Sequence, residues 1–387
     1  MRPCFLTGAA LHTSLAADLA GHLDAVATLP GEPQTVTVAV GAELRQLPYR
    51  LLAGVPLDQS GSRLHGVAGA LVERALQAAG MEASQRRHCG LFLGSSSFDI
   101  GDTEALYARA LREDPLALAM AGSSSVGTLA DDLRRHFGLL GACVSFSTAC
   151  TGSANALLCA DAMVRHGRLE HALVLGLETF NQVTALGFQG LQLLGTAHMR
   201  PFSADSAGLL LGEGCSAVVL GNRPRGPHAW RLAGSANHCD TFGISTANPD
   251  GSTVAAAMQE ALAAAGLRAT DIVAIKAHGT ATPAGDTAEA AGMRRVFAQA
   301  PPVTALKPFL GHTLGACGLN ELLLYCAAAD NGFLIPTPGI GADDAYPGIR
   351  LVQSAQPLPR GHHMLNYFGF GGNNASLILS NLGTEPA

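Results

Sequence analysis

The stretch SFSTACTGSANALLCADAM, residues 145–163, sets one cysteine among small residues and follows it with an almost wholly apolar segment. Ala154, Ala156, Leu157, Leu158, Ala160, Ala162 and Met163 surround the axis of a helix that begins just after Cys150, so that helix must be buried on most sides. Arg165, His166 and Gly167 supply the cations and the glycine expected at its C-terminus. Cys150 is thereby placed at the N-terminal end of a buried helix. Unpaired N–H groups and the helix dipole favour a thiolate there and can bind a developing oxyanion. Ala149, Gly152 and Ser153 are small enough to let a substrate approach. A free cysteine ordinarily packs as a small hydrophobe, and Cys143, Cys159 and Cys326 are read that way. The elbow between strand-like ACVSF and the helix sets Cys150 apart.

That pattern of strand, small-residue elbow and apolar helix occurs again in PVTALKPFLGHTLGACGLNELLLYCAAA, from residue 302 onward. A second echo links RALQAAGM (74–81), leading to strand-like GLFLG, with EALAAAGL (260–267), leading to IVAIKAHG. Two copies of one folding pattern, joined near the Pro/Gly/Arg stretch GNRPRGPHA (221–229), divide the chain into residues 1–222 and 223–387. By this pseudo-symmetry His312 should take in the second half the place that Cys150 takes in the first. The two buried helix N-termini would then face each other in one site.

Strand-like and helix-like segments alternate throughout, which predicts an α/β class with buried sheets. Hydrophobic residues make up 48% of the 387 and charged residues only 14%, so the core is large or a partner covers part of the surface. No apolar run reaches the ~18–20 residues that a membrane span needs. The N-terminal MRPCFLTGAALHTSLAADLAGHL has the arginine and short apolar stretch of a leader. His12, Asp18 and His22 interrupt it, and CFLTGAAL reads better as a first core strand, which places the protein in the cytoplasm. Nine cysteines with no C-x-x-C pair indicate free thiols in a reducing compartment, not a disulfide framework or a zinc site. A net charge of −6 gives no support for nucleic acid or an anionic membrane as partner. At the C-terminus, MLNYFGFGGNNASLIL reads as two strands around a glycine-rich turn, a hairpin.

Among 24 Lys plus Arg residues only Lys276 and Lys307 are lysines. Both lie in the segments richest in motifs, where a compact ammonium does what a planar guanidinium cannot. Of the fourteen histidines, His22, His65, His88, His136, His166 and His228 read as solvated. His278, in KAHGTATPAGDTAE, follows a strand and opens a small polar loop, and His312 opens the second elbow. A thiol nucleophile needs partners of this kind.

STACTGSANAL, RPFSADSAGLLLGEG, KAHGTATPAGDTAE, ALKPFLGHTLGACG and NYFGFGGNNASL together resemble the successive blocks of the β-ketoacyl-[acyl carrier protein] synthases, which are thiolase-fold condensing enzymes. The resemblance implies two pseudo-symmetric βαβαβαββ halves in a five-layer αβαβα core, the first half carrying the cysteine and the second both histidines and the lysine. It implies that Cys150 takes the acyl group as a thioester. His278 and His312 would hold the malonyl thioester carbonyl and stabilise the enolate left as CO2 departs. A Cys–His–His set is that of the elongating synthases. Lys307 matches the lysine that supports the second histidine electrostatically. Thr280 and Thr282 match the threonines that hydrogen-bond the pantetheine arm. Phe370, followed by Gly371, matches the gating phenylalanine whose N–H joins that of Cys150 in an oxyanion hole. Glu213 matches a buried acid of structural or water-holding role.

No metal or organic cofactor is implied, because phosphopantetheine arrives on the carrier protein. Acyl and malonyl carrier proteins are the implied substrates, and the implied assembly is a homodimer or a heterodimer with a second ketosynthase-like subunit. The chain departs from the family where RPFSADSAG has Ser203, Ser206 and Ala207 in place of charged residues, and where LGTAHM is short. Such trimming suits a specialised pathway, of polyketide or aryl polyene type, better than housekeeping fatty acid synthesis. Two other readings use the same residues: a non-elongating partner of chain-length-factor type, and an acyltransferase that works through Cys150 without decarboxylation. A degradative thiolase would carry a further cysteine where FGFGG stands.

Overall fold

The computed structural model describes residues 1–57, 62–113, 126–195, 198–206, 208–226, 229–339 and 346–382. Of the positions singled out above, Thr196, Ala197, Ala207, Pro227 and His228 lie outside the described residues.

A ten-stranded mixed sheet organises the chain. Its first-half strands are β1 (Phe5–Thr13), β2 (Cys89–Gly94), β3 (Cys143–Phe146), β4 (His171–Glu178) and β5 (Gly214–Gly221). Its second-half strands are β6 (Arg231–Cys239), β7 (Ile272–Lys276), β8 (Val303–Thr304), β9 (His362–Phe368) and β10 (Asn373–Ser380). The order across the sheet is β8-β7-β9-β10-β6-β1-β5-β4-β2-β3, so each half runs outward from the centre as first, fifth, fourth, second and third strand. In the first half β2 is parallel to β3 and β4, and β5 is antiparallel to β4 and β1. In the second, β7 is parallel to β8 and β9, and β10 is antiparallel to β9 and β6. The halves join where Phe5 of β1 pairs with Arg231 of β6.

Helices cover both faces, which is why β4 (HALVLGLE) and β5 (GCSAVVLG) are apolar along nearly their whole length. Helix α1 (Arg63–Ala78) packs on β1 and β5 from outside, while α2 (Ser252–Ala265) covers β6 and β10 with α3 (Pro283–Val296) behind it. Between the half-sheets lie the helix after Cys150, Gly152–Arg165, and its counterpart, Cys317–Asp330. They approach so closely that a Cβ on Gly318 would stand 2.4 Å from the Ala154 nitrogen. The result is the five-layer α/β core of the thiolase fold.

The two central helices share one constant offset. Ala149, Gly152 and Arg165 correspond to Leu314, Cys317 and Asp330, and each helix is preceded by a 3-10 turn. Both turns open on a left-handed non-glycine residue, Ala149 at φ 48° and Leu314 at φ 43°. The residue equivalent to Cys150 is therefore Gly315. His312 lies three positions ahead of it, a correction to the simple symmetry argument.

CFLTGAAL forms most of β1, and MLNYFGFGGNNASLIL forms the β9–β10 hairpin. His22 is a further correction. It is buried, bonded to Thr13 and to the Asp18 carbonyl, and burial pushes it down to about 4. Cys143, expected inside, is exposed on β3 at the sheet edge. None of the described helices is long and apolar enough to cross a membrane.

Candidate active site

Cys150 sits in the turn Ala149–Thr151, with its thiol directed into a cavity of about 320 Å³. His278, His312, Thr280, Thr282 and Phe370 line the same cavity. Its mouth includes Ile244 and its apolar wall includes Phe188, Leu193 and Val254.

His312 Nε2 lies 3.1 Å from Cys150 Sγ. The histidine backbone is clamped by GLLLGEG, since its N–H donates to the Leu210 carbonyl and its carbonyl accepts from Gly212 N–H. The Leu314 N–H donates to His312 Nδ1 at 3.2 Å. A neutral ring that accepts at Nδ1 carries its proton on Nε2. The same logic fixes His278, because the Lys307 ammonium stands 3.2 Å from its Nδ1 and can only donate. The rings meet edge to face with centroids 5.5 Å apart. Burial pushes both histidines well below the usual range, and the Lys307 charge pushes them further. The site thus presents two neutral imidazoles, each with an Nε2–H donor.

The His278 loop is held by two acids of α3. Glu289 accepts from the N–H groups of His278 and Gly279, at 2.8 and 2.9 Å, and Asp286 accepts from Thr280 N–H at 3.1 Å. Burial raises both acids, Asp286 to about 7. Thr282 caps α3, Pro283 takes its first turn, and the Thr280 and Thr282 hydroxyls are 2.8 Å apart. Beneath the cysteine elbow, buried Glu178 accepts from the N–H groups of Ser96, Ser97 and Gly315 and from the Ser97 hydroxyl. Thr151 and Asn155 both donate to Asn373 Oδ1, tying the elbow to the C-terminal hairpin. The Phe370 ring stacks on Phe188 at 5.7 Å and 12°.

The thiol itself corrects an expectation. Burial pushes Cys150 up to about 11, and only part of that is opposed by the Lys307 charge and the N–H groups of Phe370 and Cys150. Desolvation outweighs the helix terminus, and the resting nucleophile is a thiol. Those two N–H groups converge on Sγ.

Lys307 lies behind the cavity wall: its charge acts on His312 as well as on His278, while its hydrogen bonds go to His278 Nδ1, the His278 carbonyl (2.6 Å) and Glu321 (2.7 Å). Gly371 does not line the cavity; its N–H is spent on the Ile244 carbonyl, while Gly369 and Gly372 do line it. Glu213 is fully buried and does not line the cavity; it is paired bidentately with Arg63 at 2.8 and 3.0 Å and accepts from the N–H groups of Leu52 and Phe180. Sequence reasoning passed over Glu178, Glu289 and Glu321. A lone carboxylate in the apolar segment GLNELLLY was the available sign of Glu321. Among the described residues no cluster of three or more His, Cys, Asp or Glu side chains is placed to hold a metal ion.

A layered thiolase-type core, with a cysteine elbow and two imidazole donors around one cavity, defines a condensing acyltransferase. Residues 61–224 match the N-terminal domain of the beta-ketoacyl synthases and residues 230–340 their C-terminal domain, and the chain belongs to that family. It is 29% identical to the 3-oxoacyl-[acyl-carrier-protein] synthase 2 of Vibrio cholerae over 82% of each chain. It is 33% identical to the synthase of the same name from Rhizobium meliloti, over 61% of this chain and 60% of that one. A beta-ketoacyl synthase from Burkholderia phymatum superposes with a TM-score of 0.84 at 26% identity, covering 99% of this chain and 100% of the other. The fold is shared equally with the ketosynthase ApeO, solved with its chain length factor ApeC from Xenorhabdus doucetiae, at a TM-score of 0.84, 23% identity and 98% coverage of both chains.

Proposed function

We propose that the protein is a β-ketoacyl-[acyl carrier protein] synthase with Cys150 as acyl acceptor and His278 and His312 as the enolate-binding pair. The observation that carries the reading is the convergence of two Nε2–H imidazole donors with Cys150 Sγ in one cavity. Residues 1–222 supply the nucleophile, and residues 223–387 supply the histidines and Lys307.

In the first half-reaction Cys150 Sγ attacks the thioester carbonyl of an acyl carrier protein. The Cys150 and Phe370 N–H groups receive the oxyanion, and the pantetheine thiol leaves carrying the proton that Sγ gives up. In the second, the malonyl thioester oxygen accepts from both imidazoles. The bond to the carboxylate breaks, CO2 leaves, and its electron pair becomes an enolate. The enolate carbon attacks the acyl-Cys150 carbonyl, a carbon–carbon bond forms, and Sγ departs as a thiolate to leave a β-ketoacyl carrier protein; a proton from water then restores the resting thiol. Donors fixed in place favour the state in which charge has developed on that oxygen, and each is worth about 10²–10³ in kcat.

Thr280 and Thr282 stand where the pantetheine arm would pass, Phe370 and Phe188 where the acyl chain enters. No resident cofactor is needed. Carrier protein is the partner for both steps. The unpaired edge of β3, with Val144 exposed, suits pairing with a second ketosynthase-like subunit, identical or not. The polyketide or aryl polyene setting rests on the trimmed loops and on the likeness to ketosynthases of such systems.

Incubation with acyl carrier protein and then malonyl carrier protein, followed by intact mass and CO2 release, tests the reading. A mass gain on wild type that is absent from Cys150→Ala, then CO2 and a product two carbons longer, is the expected result. Acylation without CO2 loss would instead mark simple acyl transfer. No acylation, alone or with a co-expressed ketosynthase, would mark a partner subunit of chain-length-factor type.

A further inference from the structure

Lys276, one of two lysines in the chain, is fully buried and has no step in the chemistry above. It ends β7, two residues before His278. Its Nζ donates to Glu321 Oε2 and to the Asn366 carbonyl, both at 2.7 Å, and stands 3.6 Å from the Tyr367 ring centroid. The other oxygen of the same carboxylate, Oε1, accepts from Lys307 at 2.7 Å. One carboxylate therefore serves two buried ammonium groups, and one of them is bonded to His278.

None of the other titratable groups around this cluster gives either ammonium a second hydrogen-bonded counter-charge. Cys317, whose thiol donates to the Cys150 carbonyl, is pushed up by burial and is neutral. Tyr367 is likewise raised by burial, and His278 and His312 are neutral. Glu289 is the next acid: it attracts both ammonium groups through space, but its two oxygens accept from the His278 and Gly279 N–H groups and it makes no hydrogen bond to either lysine. Without Lys276, Glu321 and Lys307 would form a simple neutral pair. With it, Lys307 shares its counter-charge.

We propose that Lys276 is a positioning residue for the decarboxylating step: by drawing on Glu321 it leaves the Lys307 ammonium under-compensated beside His278, and so sets the field in which the imidazoles receive the anionic thioester oxygen. The proposal rests on the roles given to His278 and His312 above. In support, Lys276 adds to burial and Lys307 in depressing both histidines. Burial lowers Lys276 itself, against the opposing pull of Glu321.

Lys276→Met keeps most of the unbranched stem, one atom shorter, and removes the charge. CO2 release from malonyl carrier protein should fall about tenfold or more, and the acid limb of its pH profile should move up. Acyl transfer to Cys150, read by mass, should change far less. Lys276→Ala should regain part of its decarboxylation with added methylammonium. An unchanged rate and acid limb in Lys276→Met would overturn the proposal, as would an equal loss in acylation and decarboxylation together with a lowered Tm. Should neither variant fold, wild-type protein labelled at lysine Cε gives one NMR resonance for each of the two lysines. A Lys276 signal that is neutral at the assay pH overturns the proposal, and one that stays charged supports it. Wild type that releases no CO2 would defeat the functional reading itself, whereas active wild type with an indifferent Lys276→Met defeats only this inference.

Discussion

His312 Nε2 lies 3.1 Å from Cys150 Sγ, although the two residues belong to opposite halves of the chain. The contact is a donor facing a sulfur, because Leu314 N–H fixes the proton on Nε2. A histidine in that tautomer does not take the thiol proton in the resting state, and burial holds Cys150 near 11. Alkylation of Cys150 by iodoacetamide should therefore climb steadily with pH through 9 without a plateau, since the thiolate is the reactive form. Peptide mapping of the modified protein across pH 6–10 checks this. A plateau near neutrality would show an activated thiolate and overturn the raised resting thiol.

The depressed histidines make a pH prediction with a definite sign. His278 and His312 are pushed well below 6.5, and His22 and His363 to about 4, in each case chiefly by burial. Below pH 6.5 the unfolded chain binds protons that the folded chain refuses, so stability falls as pH falls. Each such group contributes a slope of up to about 1.4 kcal/mol per pH unit until its folded pKa is reached. The raised carboxyls of Asp286 and Asp161, at about 7 and 6, oppose this slope over the same range. The histidine share is therefore read by comparing the urea midpoints of wild type and His22→Asn from pH 7.5 to 5, where the variant should decline less. Decarboxylation should persist through that range in whatever protein stays folded. An activity loss centred at 6.5 in stably folded protein would contradict neutral, shielded imidazoles.

Glu321 anchors both buried ammonium groups. Glu321→Gln keeps the shape and removes the charge, leaving two cations without their shared counter-ion. Breaking a buried pair from one side costs about 3–5 kcal/mol, and urea unfolding would register that loss. The double variant Glu321→Gln/Lys276→Met should recover a sizeable part of it, because one of the two stranded charges is gone. Equal destabilisation in single and double variants would mean the lysines are not both charged.

Much of this site was legible in the sequence because its parts are local. The elbow before an apolar helix, the polar loop after IVAIK and the glycine-rich hairpin each announce themselves within about twenty residues, and the two elbows are copies of one pattern. What stayed hidden depends on partners far along the chain. Lys307 reads as the electrostatic support of His312, and its charge does act on that ring, but its hydrogen bonds to His278 exist only because β7 and the Lys307–Leu310 turn are brought side by side. Gly371 and Glu213 belong to the right motifs, but which way a turn or a carboxylate faces is decided by Ile244 and Arg63. The state of the Cys150 thiol is set by burial that no local pattern measures.

The C-terminal turn offers a matched pair of substitutions. Gly371 and Gly372 both have positive φ, 74° and 75°. A Cβ on Gly371 would meet nothing within 4 Å, whereas one on Gly372 would stand 1.8 Å from the Asp240 carbonyl oxygen. Gly371→Ala should therefore cost only the conformational penalty, roughly 1–2 kcal/mol, and retain acyl transfer. Gly372→Ala cannot be accommodated in place, because Asp240 N–H bonds the Gly372 carbonyl and the Asp240 side chain holds Phe242 N–H and Asn248 N–H. The turn must shift, and it carries the Phe370 N–H away from Cys150. Loss of one oxyanion donor predicts about a 10²-fold slower acylation of Cys150, measured in single turnover by intact mass. Equal acylation rates in the two variants would remove Phe370 N–H from the chemistry and leave the Cys150 N–H as the donor to pursue.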